Sequence, residues 1–240
     1  MTIISPLDAA DQVIASGAPV LLIDTCSLLD IVRVPIRDEV SIHDITAMGT
    51  LLSRAAASPP QLTLLINEQV HYEFSANVDN VERDTEKEIA KLSKRVKSIY
   101  GRIGAFPPIS APPANTGFSN YGFPARGRKM AEEILKLCLI VADDDAQAKK
   151  ALLRVNNAIP PATRAKQSAK DCIIIETYLY ISSFIHSRNQ NIKKIFITAN
   201  KDDYQQGHSS LAPSLRAEFC ALGLAYSPNW SAARFELDRP

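Results

Sequence analysis

The sequence lacks the residue patterns that mark zinc sites and disulfide scaffolds. Four cysteines and four histidines are scattered along 240 residues, and no C-x-x-C, H-E-x-x-H or paired Cys/His spacing occurs. This argues against a structural zinc site. Cysteines that lie far apart, mostly inside apolar runs, are typical of small buried side chains in a reducing compartment rather than of disulfides.

The chain also lacks an excess of either charge and a long apolar run. Its 27 basic and 26 acidic residues nearly cancel, so any site for a polyanion must be local. No apolar run approaches the roughly 20 residues that span a bilayer, and the N-terminus carries no basic segment followed by an apolar core. We therefore expect a cytoplasmic protein without membrane contact, folded as a single domain over residues 1–240.

Apolar strands that alternate with helical segments predict an α/β fold. A first helix is expected between the capping Ser5 and Gly17, with Pro6 at its first position. Helices are also expected around residues 43–57, over the charged stretch that ends near residue 102, in "DCIIIETYLYISSFI" and in "LAPSLRAEFCALG". Four strands are expected in "PVLLID", "QLTLLI", "KKIFITAN" and "LAYS". This order predicts a parallel sheet covered by helices on both faces.

The middle of the chain is expected to hold irregular segments and further helices. Residues 105–127 contain five prolines and three glycines, so we expect no regular element there. "RKMAEEILKLCLIVAD" and "AQAKKALLRVN" are both expected to be helical, and "AIPPATRAKQSAK" is expected to be an irregular link.

Acidic residues follow several of the predicted strands or open the helices after them. Because the carboxyl ends of parallel strands meet at one edge of a sheet, we expect these side chains to converge there. They are Asp24, Glu73, Asp171, and Asp202 and Asp203. Asp24 and Asp171 could instead serve as helix caps, since Asp is favoured at such positions. Carboxylates that converge without basic partners repel one another, and a divalent cation is the usual remedy.

Four segments resemble a known nuclease family. "LLIDTCSLLD", "INEQVHYEF", "KDCIIIETYL" and "FITANKDDY", in this order, are similar to the four acidic motifs of PIN-domain nucleases. The tail "HSSLAPSLRAEFCALGLAYSPNW" resembles a large PIN-like subgroup formerly of unknown function. The resemblance implies a Rossmann-like PIN fold with a parallel sheet. It also implies a helix-and-loop insertion at about residues 80–165, relative to the smallest family members.

The resemblance also implies which residues form the site. The catalytic and metal-binding positions fall on Asp24, Glu73, Asp171 and Asp203, with Asn200 as a further metal ligand and Mg²⁺ or Mn²⁺ as the cofactor. The residues expected to orient these ligands are Thr25, Ser27, Glu176, Thr198 and Asp202. Asp202 competes with Asp203 for the fourth position. Glu176 could instead be a partly buried acid with a local basic partner.

Two basic stretches are candidates for contact with a phosphate backbone. Arg164, Lys166 and Lys170 directly precede Asp171, and Arg126 and Arg128 follow the proline-rich stretch. An ordinary solvated surface is the alternative interpretation for both stretches.

These features together predict a Mg²⁺- or Mn²⁺-dependent endoribonuclease that hydrolyses phosphodiester bonds in single-stranded RNA. One alternative is a catalytically silent PIN-like module that binds nucleic acid. Another is a phosphotransfer or phosphatase domain that forms an aspartyl phosphate, but such phosphatases require a second acid where this chain has Cys26. The sequence leaves open a homodimer and an inhibitory protein partner.

Overall fold

A computed structural model describes residues 2–37, 40–105, 117–163, 168–206 and 211–239. Within these residues, six strands form one sheet in the order β1-β4-β3-β2-β5-β6, and every neighbouring pair is parallel. The strands are β1 (Ile3–Ile4), β2 (Val20–Ile23), β3 (Thr63–Asn67), β4 (Cys138–Val141), β5 (Lys194–Ile197) and β6 (Leu224–Ser227). The predicted α/β fold with a parallel sheet is confirmed.

Ten helices in the described residues connect and cover the strands. They are α1 (Pro6–Ser16), α2 (Thr25–Arg33), α3 (Ile42–Ala55), α4 (Glu68–Ile103), α5 (Phe123–Leu137), α6 (Asp145–Asn157), α7 (Ala169–Arg188), α8 (Lys201–Tyr204), α9 (Pro213–Leu222) and α10 (Trp230–Asp238). None of the helices in this part of the chain is both long and apolar enough to cross a bilayer.

Local signals explain the boundaries of the first elements. The Ser5 hydroxyl accepts a hydrogen bond from the backbone N–H of Asp8, and Gly17 ends α1 in the left-handed conformation with φ of 64°. Glycine adopts this conformation without the steric cost that a Cβ would add. Strand β2 is buried at all four positions, as expected for a central strand with helices on both faces.

The strand order places a topological switch point between β2 and β5. From β2 the chain continues to β3 and then β4 on one side of the sheet, and it later crosses to β5 and β6 on the other side. In open parallel sheets, ligands bind in the crevice beyond the carboxyl ends of the strands at such a point. Asp24 follows β2 and Thr198 follows β5, so both lie at this crevice.

Several predicted elements need correction. Residues 138–141 were expected to continue a helix but form β4, which lies between β1 and β3. The range of about 80–165, expected to be an insertion of helix and loop, therefore contributes a strand to the sheet. Helix α5 begins at Phe123, inside the stretch expected to be irregular, while residues 106–116 of that stretch lie outside the described residues. Strand β1 and helix α10 were not predicted.

A buried tyrosine joins the ends of two central strands. The hydroxyl of Tyr178, on α7, donates to the backbone oxygen of Ile23 at 2.6 Å and accepts from the backbone N–H of Asn67 at 3.1 Å. Its side chain is fully buried, so neither backbone group can turn to water instead. Tyr178 therefore holds the ends of β2 and β3 together directly below the crevice.

We predict that Tyr178→Phe lowers the free energy of unfolding by about 1–3 kcal/mol, the cost of leaving buried polar groups unsatisfied. Urea denaturation measures the change. Tyr180→Phe is the matched control on the same helix, because the Tyr180 hydroxyl makes no hydrogen bond within the described residues. Equal losses in the two variants would contradict the role assigned to the Tyr178 hydroxyl.

Candidate active site

Asp24 is a buried carboxylate at the end of the central strand β2. Its side chain is 1% exposed and accepts a hydrogen bond from Thr198 Oγ1 at 2.7 Å. Although Asp24 occupies the position before the first residue of α2, its side chain makes no capping hydrogen bond. The structure thus gives the carboxylate a side-chain partner in the segment directly after β5.

The surroundings of Asp24 favour its neutral form. The pKa of Asp24 is raised to about 7, chiefly by burial and also by the charges of Asp171 and Glu73, although hydrogen bonds from Thr198 and from the backbone of Thr25 lower it. No Lys, Arg or His within the described residues forms an ion pair with Asp24. A cation in the crevice would therefore be favoured by this carboxylate and its acidic neighbours.

Glu73, on α4, is oriented by two neighbours. Thr25 Oγ1 donates to Glu73 Oε2 at 2.8 Å, and Lys170 Nζ lies 3.5 Å from Glu73 Oε1. The Lys170 side chain is 58% exposed, and its ammonium also lies 5.9 Å from the centre of the Tyr72 ring. A pair this exposed is weak in water, so Lys170 can leave Glu73 at little cost when another cation or a phosphate is present.

Asp171 lies in the first turn of α7, beside the same crevice. Its charge contributes to the raised pKa of Asp24. The hydroxyl of the buried Tyr204 lies 3.5 Å from the backbone oxygen of Asp171, so the start of α7 contacts the segment that follows β5.

Asp202 and Asp203, the two candidates for the fourth acidic position, differ in burial and in hydrogen bonding. Asp203 is 6% exposed and accepts from Asn200 Nδ2 at 2.6 Å, whereas Asp202 is exposed. Asn200 Oδ1 in turn accepts from the backbone N–H of Asp203 at 3.4 Å. Asn200, expected to be a metal ligand, thus orients Asp203 in this structure, and the backbone N–H of Asn200 donates to Thr198 Oγ1 at 3.0 Å.

Glu176 has a basic partner away from Asp24. It forms a buried ion pair with Arg154 Nε, and Arg154 also contacts Glu218 at 2.6 Å and the backbone oxygen of Pro160 at 2.8 Å. This contact accounts for the buried charge of Glu176 without a metal. It supports the alternative that Glu176 joins α6 to α7 rather than orienting a ligand in the crevice.

Ser27, expected to orient carboxylates or water, has a different environment. It is 2% exposed, and its hydroxyl has no hydrogen-bond partner among the described residues. A buried hydroxyl without a partner is uncommon, because the loss of hydration is not recovered.

The predicted RNA-binding residues fall into four groups. Lys170 lies at the crevice, while Arg164 and Lys166 lie outside the described residues. Arg126 is exposed and has no ion-pair partner in the described ranges. Arg128 contacts Asp79, Glu82 and Glu132 at 2.7–2.8 Å. Three carboxylates neutralise its charge, so these contacts do not support a role for Arg128 in phosphate binding.

A polar network at the rim was not found by sequence reasoning. Asn67 Nδ2, at the end of β3, donates to Asp143 Oδ1 at 2.9 Å and to Thr177 Oγ1 at 3.3 Å. Asp143 follows β4 and would have been recognised as another acid at a strand end, had β4 been recognised as a strand. Asn67 could have been recognised in the sequence as a polar residue at a strand end, because it directly follows the apolar run "LLI".

The ligand atoms that the crevice offers are compatible with a divalent cation. Its donors are carboxylate, hydroxyl and amide oxygens, which suit Mg²⁺ and Mn²⁺. No group of three or more acidic, His or Cys side chains within the described ranges is gathered closely enough to enclose an ion. Mg²⁺ usually keeps several waters and takes one or two carboxylates together with substrate phosphate, so a closed cage is not required.

The chain belongs to the PIN domain family. The family matches residues 21–204, about three quarters of the chain, from β2 through α8 and thus across all the acidic residues of the crevice. PIN domains have a nuclease-type fold, are generally nucleases that act on RNA, and typically use divalent metals. No curated protein and no solved structure matches this chain.

We predict that Asp24→Asn raises the free energy of unfolding at pH 8 in EDTA. Because the folded-state pKa of Asp24 is raised to about 7, the ionised carboxylate destabilises the folded protein above that pH. At about 1.4 kcal/mol per pKa unit, the gain has an upper limit of about 4 kcal/mol. The gain should shrink as the pH falls through 7, and vanish below about 4, where the carboxyl group is protonated in both states.

Urea denaturation at pH 8, 6 and 4 measures this effect. Asp202→Asn is the matched control, since Asp202 is an exposed acid in the same crevice segment and should change stability little. A wild-type protein as stable as Asp24→Asn at pH 8 would contradict the burial of an ionised carboxylate at this position.

Proposed function

We propose that this protein is a metal-dependent endonuclease that hydrolyses phosphodiester bonds in single-stranded RNA, with Mg²⁺ or Mn²⁺ as its cofactor. The single observation that carries the proposal is the buried carboxylate of Asp24 at the switch point, with the charges of Asp171 and Glu73 directed at it and no basic side chain of the described residues paired with it. Membership of the PIN domain family supports the nuclease reaction.

The chain's own residues would position the ion and the phosphate. Asp24 and Asp171 would hold the cation, Glu73 would complete its surroundings, and Asp203 would act at the other side of the crevice. A divalent cation, when bound, supplies positive charge to the phosphate and lowers the pKa of an attacking water. Thr198, Thr25 and Asn200 donate hydrogen bonds to Asp24, Glu73 and Asp203, and these bonds would orient the carboxylates toward the cation.

Lys170 would exchange partners when substrate binds. Its ammonium lies near Glu73 in the crevice, and its exposed side chain is long enough to follow a phosphate oxygen instead. A phosphate contact by lysine contributes affinity without sequence preference, so Lys170 would help to hold the strand across the site.

Binding of nucleic acid without cleavage is the second candidate. The acidic side chains are not gathered into a group of three around one point within the described residues, and such an arrangement is compatible with a silent module. An aspartyl-phosphate mechanism finds less support. The residue two positions after Asp24 is Cys26, and burial raises the pKa of its thiol, so Cys26 cannot act as a second acid.

We predict that Asp24→Asn and Asp171→Asn each abolish cleavage while the protein remains folded, because each removes a charge needed for the cation with little change in side-chain volume. A single-stranded RNA mixture, incubated with purified protein in Mg²⁺ and in Mn²⁺, measures cleavage, and thermal melting checks the fold. Asp202→Asn is the control that should retain activity. RNA binding without cleavage by the wild type would favour the silent module, and full activity in either variant would overturn the proposed site.

We also predict that Asp203→Ala lowers the rate of cleavage more than Asp202→Ala does. Asp203 is buried and held by Asn200, whereas Asp202 is exposed to water, so only the first has a fixed orientation in the crevice. The two rates on the same RNA, each at saturating Mn²⁺, provide the comparison. Equal or reversed losses would assign the fourth acidic position to Asp202.

A further inference from the structure

Tyr72 presents an exposed aromatic ring beside the acidic crevice. It directly precedes Glu73 on α4, the helix that begins at the end of β3, and it is 64% exposed. Tyr72 lies about 6 Å along α4 from Glu68, at a rise of about 1.5 Å per residue, so it stays near the rim of the sheet. An aromatic ring buries more area on contact than most side chains, so an exposed ring at this place can contribute much to binding.

The Tyr72 ring is not stacked on another ring of the described residues. Tyr121 and Phe123, which are also exposed, stack on each other with their ring centres 5.4 Å apart. The Tyr72 ring has instead the ammonium of Lys170, 5.9 Å from its centre, close to the limit of about 6 Å for a cation–π contact. Because this contact is long and the lysine is exposed, a planar ligand can replace it at little cost.

Lys170 relates the ring to the acidic crevice. The same ammonium that lies beside the Tyr72 ring is 3.5 Å from Glu73 Oε1, so it connects α4 with the start of α7. An aromatic ring and a cation therefore lie side by side at the rim. A nucleotide has the matching pair of groups, a flat base and a negatively charged phosphate. A strand whose phosphate contacts Lys170 therefore has a base within reach of the Tyr72 ring.

We propose that Tyr72 stacks on an unpaired base of the substrate strand, beside the phosphate that Lys170 contacts, and that this contact makes the site select single strands over duplexes. Stacking of this kind tolerates any sequence, because every base has a π-face. In a duplex both faces of a base are covered by its neighbours, so the ring cannot reach a face unless the base is unstacked first. The proposal rests on the proposed nuclease function for the identity of the strand.

The test measures binding in EDTA, where a metal-dependent nuclease does not cut its substrate. The probe is a short, fluorescein-labelled single-stranded RNA of mixed sequence, and its anisotropy is recorded as the full-length protein is added. Tyr72→Ala should weaken binding by about 5- to 150-fold, the range for loss of one base–aromatic stack. Tyr72→Phe and Tyr72→Trp keep a ring and should bind within about 2-fold of the wild type, whereas Tyr72→Leu, apolar without a ring, should lose affinity as Tyr72→Ala does.

Phe235→Ala is the matched control and should bind as the wild type does. Phe235 is also 64% exposed, but it lies near Leu237 on α10, whose backbone oxygen accepts from Lys193 at the amino end of β5, the edge of the sheet opposite the crevice. A blunt RNA duplex of the same length is the second control, and Tyr72→Ala should leave its affinity unchanged. Unchanged single-strand affinity in Tyr72→Ala, wild-type affinity in Tyr72→Leu, equal losses for single strand and duplex, or no binding of the single strand by the wild type would overturn the proposal.

RNA cleavage in Mn²⁺, measured separately, distinguishes this proposal from the nuclease function. Where both hold, Tyr72→Ala should raise KM with little change in kcat, because the ring binds the ground state and the transition state alike. Cleavage with a KM that Tyr72→Ala leaves unchanged would keep the nuclease and remove the stacking contact. Binding that depends on Tyr72, without cleavage by the wild type, would support the contact and count against the nuclease.

Discussion

The hydrogen bond from Thr198 to Asp24 fixes the arrangement on which the rest of the crevice depends. The parallel register pairs Ile23 with Ile197, and the backbone N–H of Asp24 donates to the oxygen of Ile197 at 3.0 Å. This pairing places Asp24 and Thr198 side by side, directly after the ends of β2 and β5. Because both side chains are buried, the carboxylate cannot turn away to water, and the other acids of the crevice must accommodate its position.

The buried acids near α7 are of two kinds, which differ in their partners. Glu176 on α7 forms an ion pair with Arg154 on α6, which neutralises its charge and links the two helices. Asp24 accepts its side-chain hydrogen bond from a hydroxyl, which leaves its negative charge in place, and Asp203 accepts one from the amide of Asn200. Neutral donors are what a cation site requires, since a guanidinium would occupy the carboxylate and compete with the ion. On this basis we expect the buried charge of Asp24 to destabilise the metal-free fold while it serves the proposed site.

The sequence predicted the elements that have local signals and missed those that depend on tertiary contacts. Proline, glycine and capping serine marked α1, and long apolar runs marked β2, β3 and α7. No breaker separates Leu137 from Cys138, so the change from α5 to β4 is decided by pairing with β3 and β1 and was read as one helix. Asp24 was predicted to lie at the edge of the sheet because the strand before it was recognised. Asp143 was not, because the strand before it, β4, was taken for part of a helix. Ser27 was predicted to orient carboxylates or water, but the absence of a partner for its buried hydroxyl within the described residues could not be predicted, because it depends on how the helix packs in the folded protein.

The start of α2 contributes to the orientation of two carboxylates of the candidate site. Asp24 directly precedes the helix, and Thr25, its first residue, donates through Oγ1 to Glu73 on α4. Since Asp24 accepts from Thr198 and α2 is mostly buried against the core, the relative position of Asp24 and Glu73 is set by the fold before any ligand binds. A phosphate would then be positioned by carboxylates of fixed spacing, with the basic residues of the crevice supplying affinity that is common to all sequences.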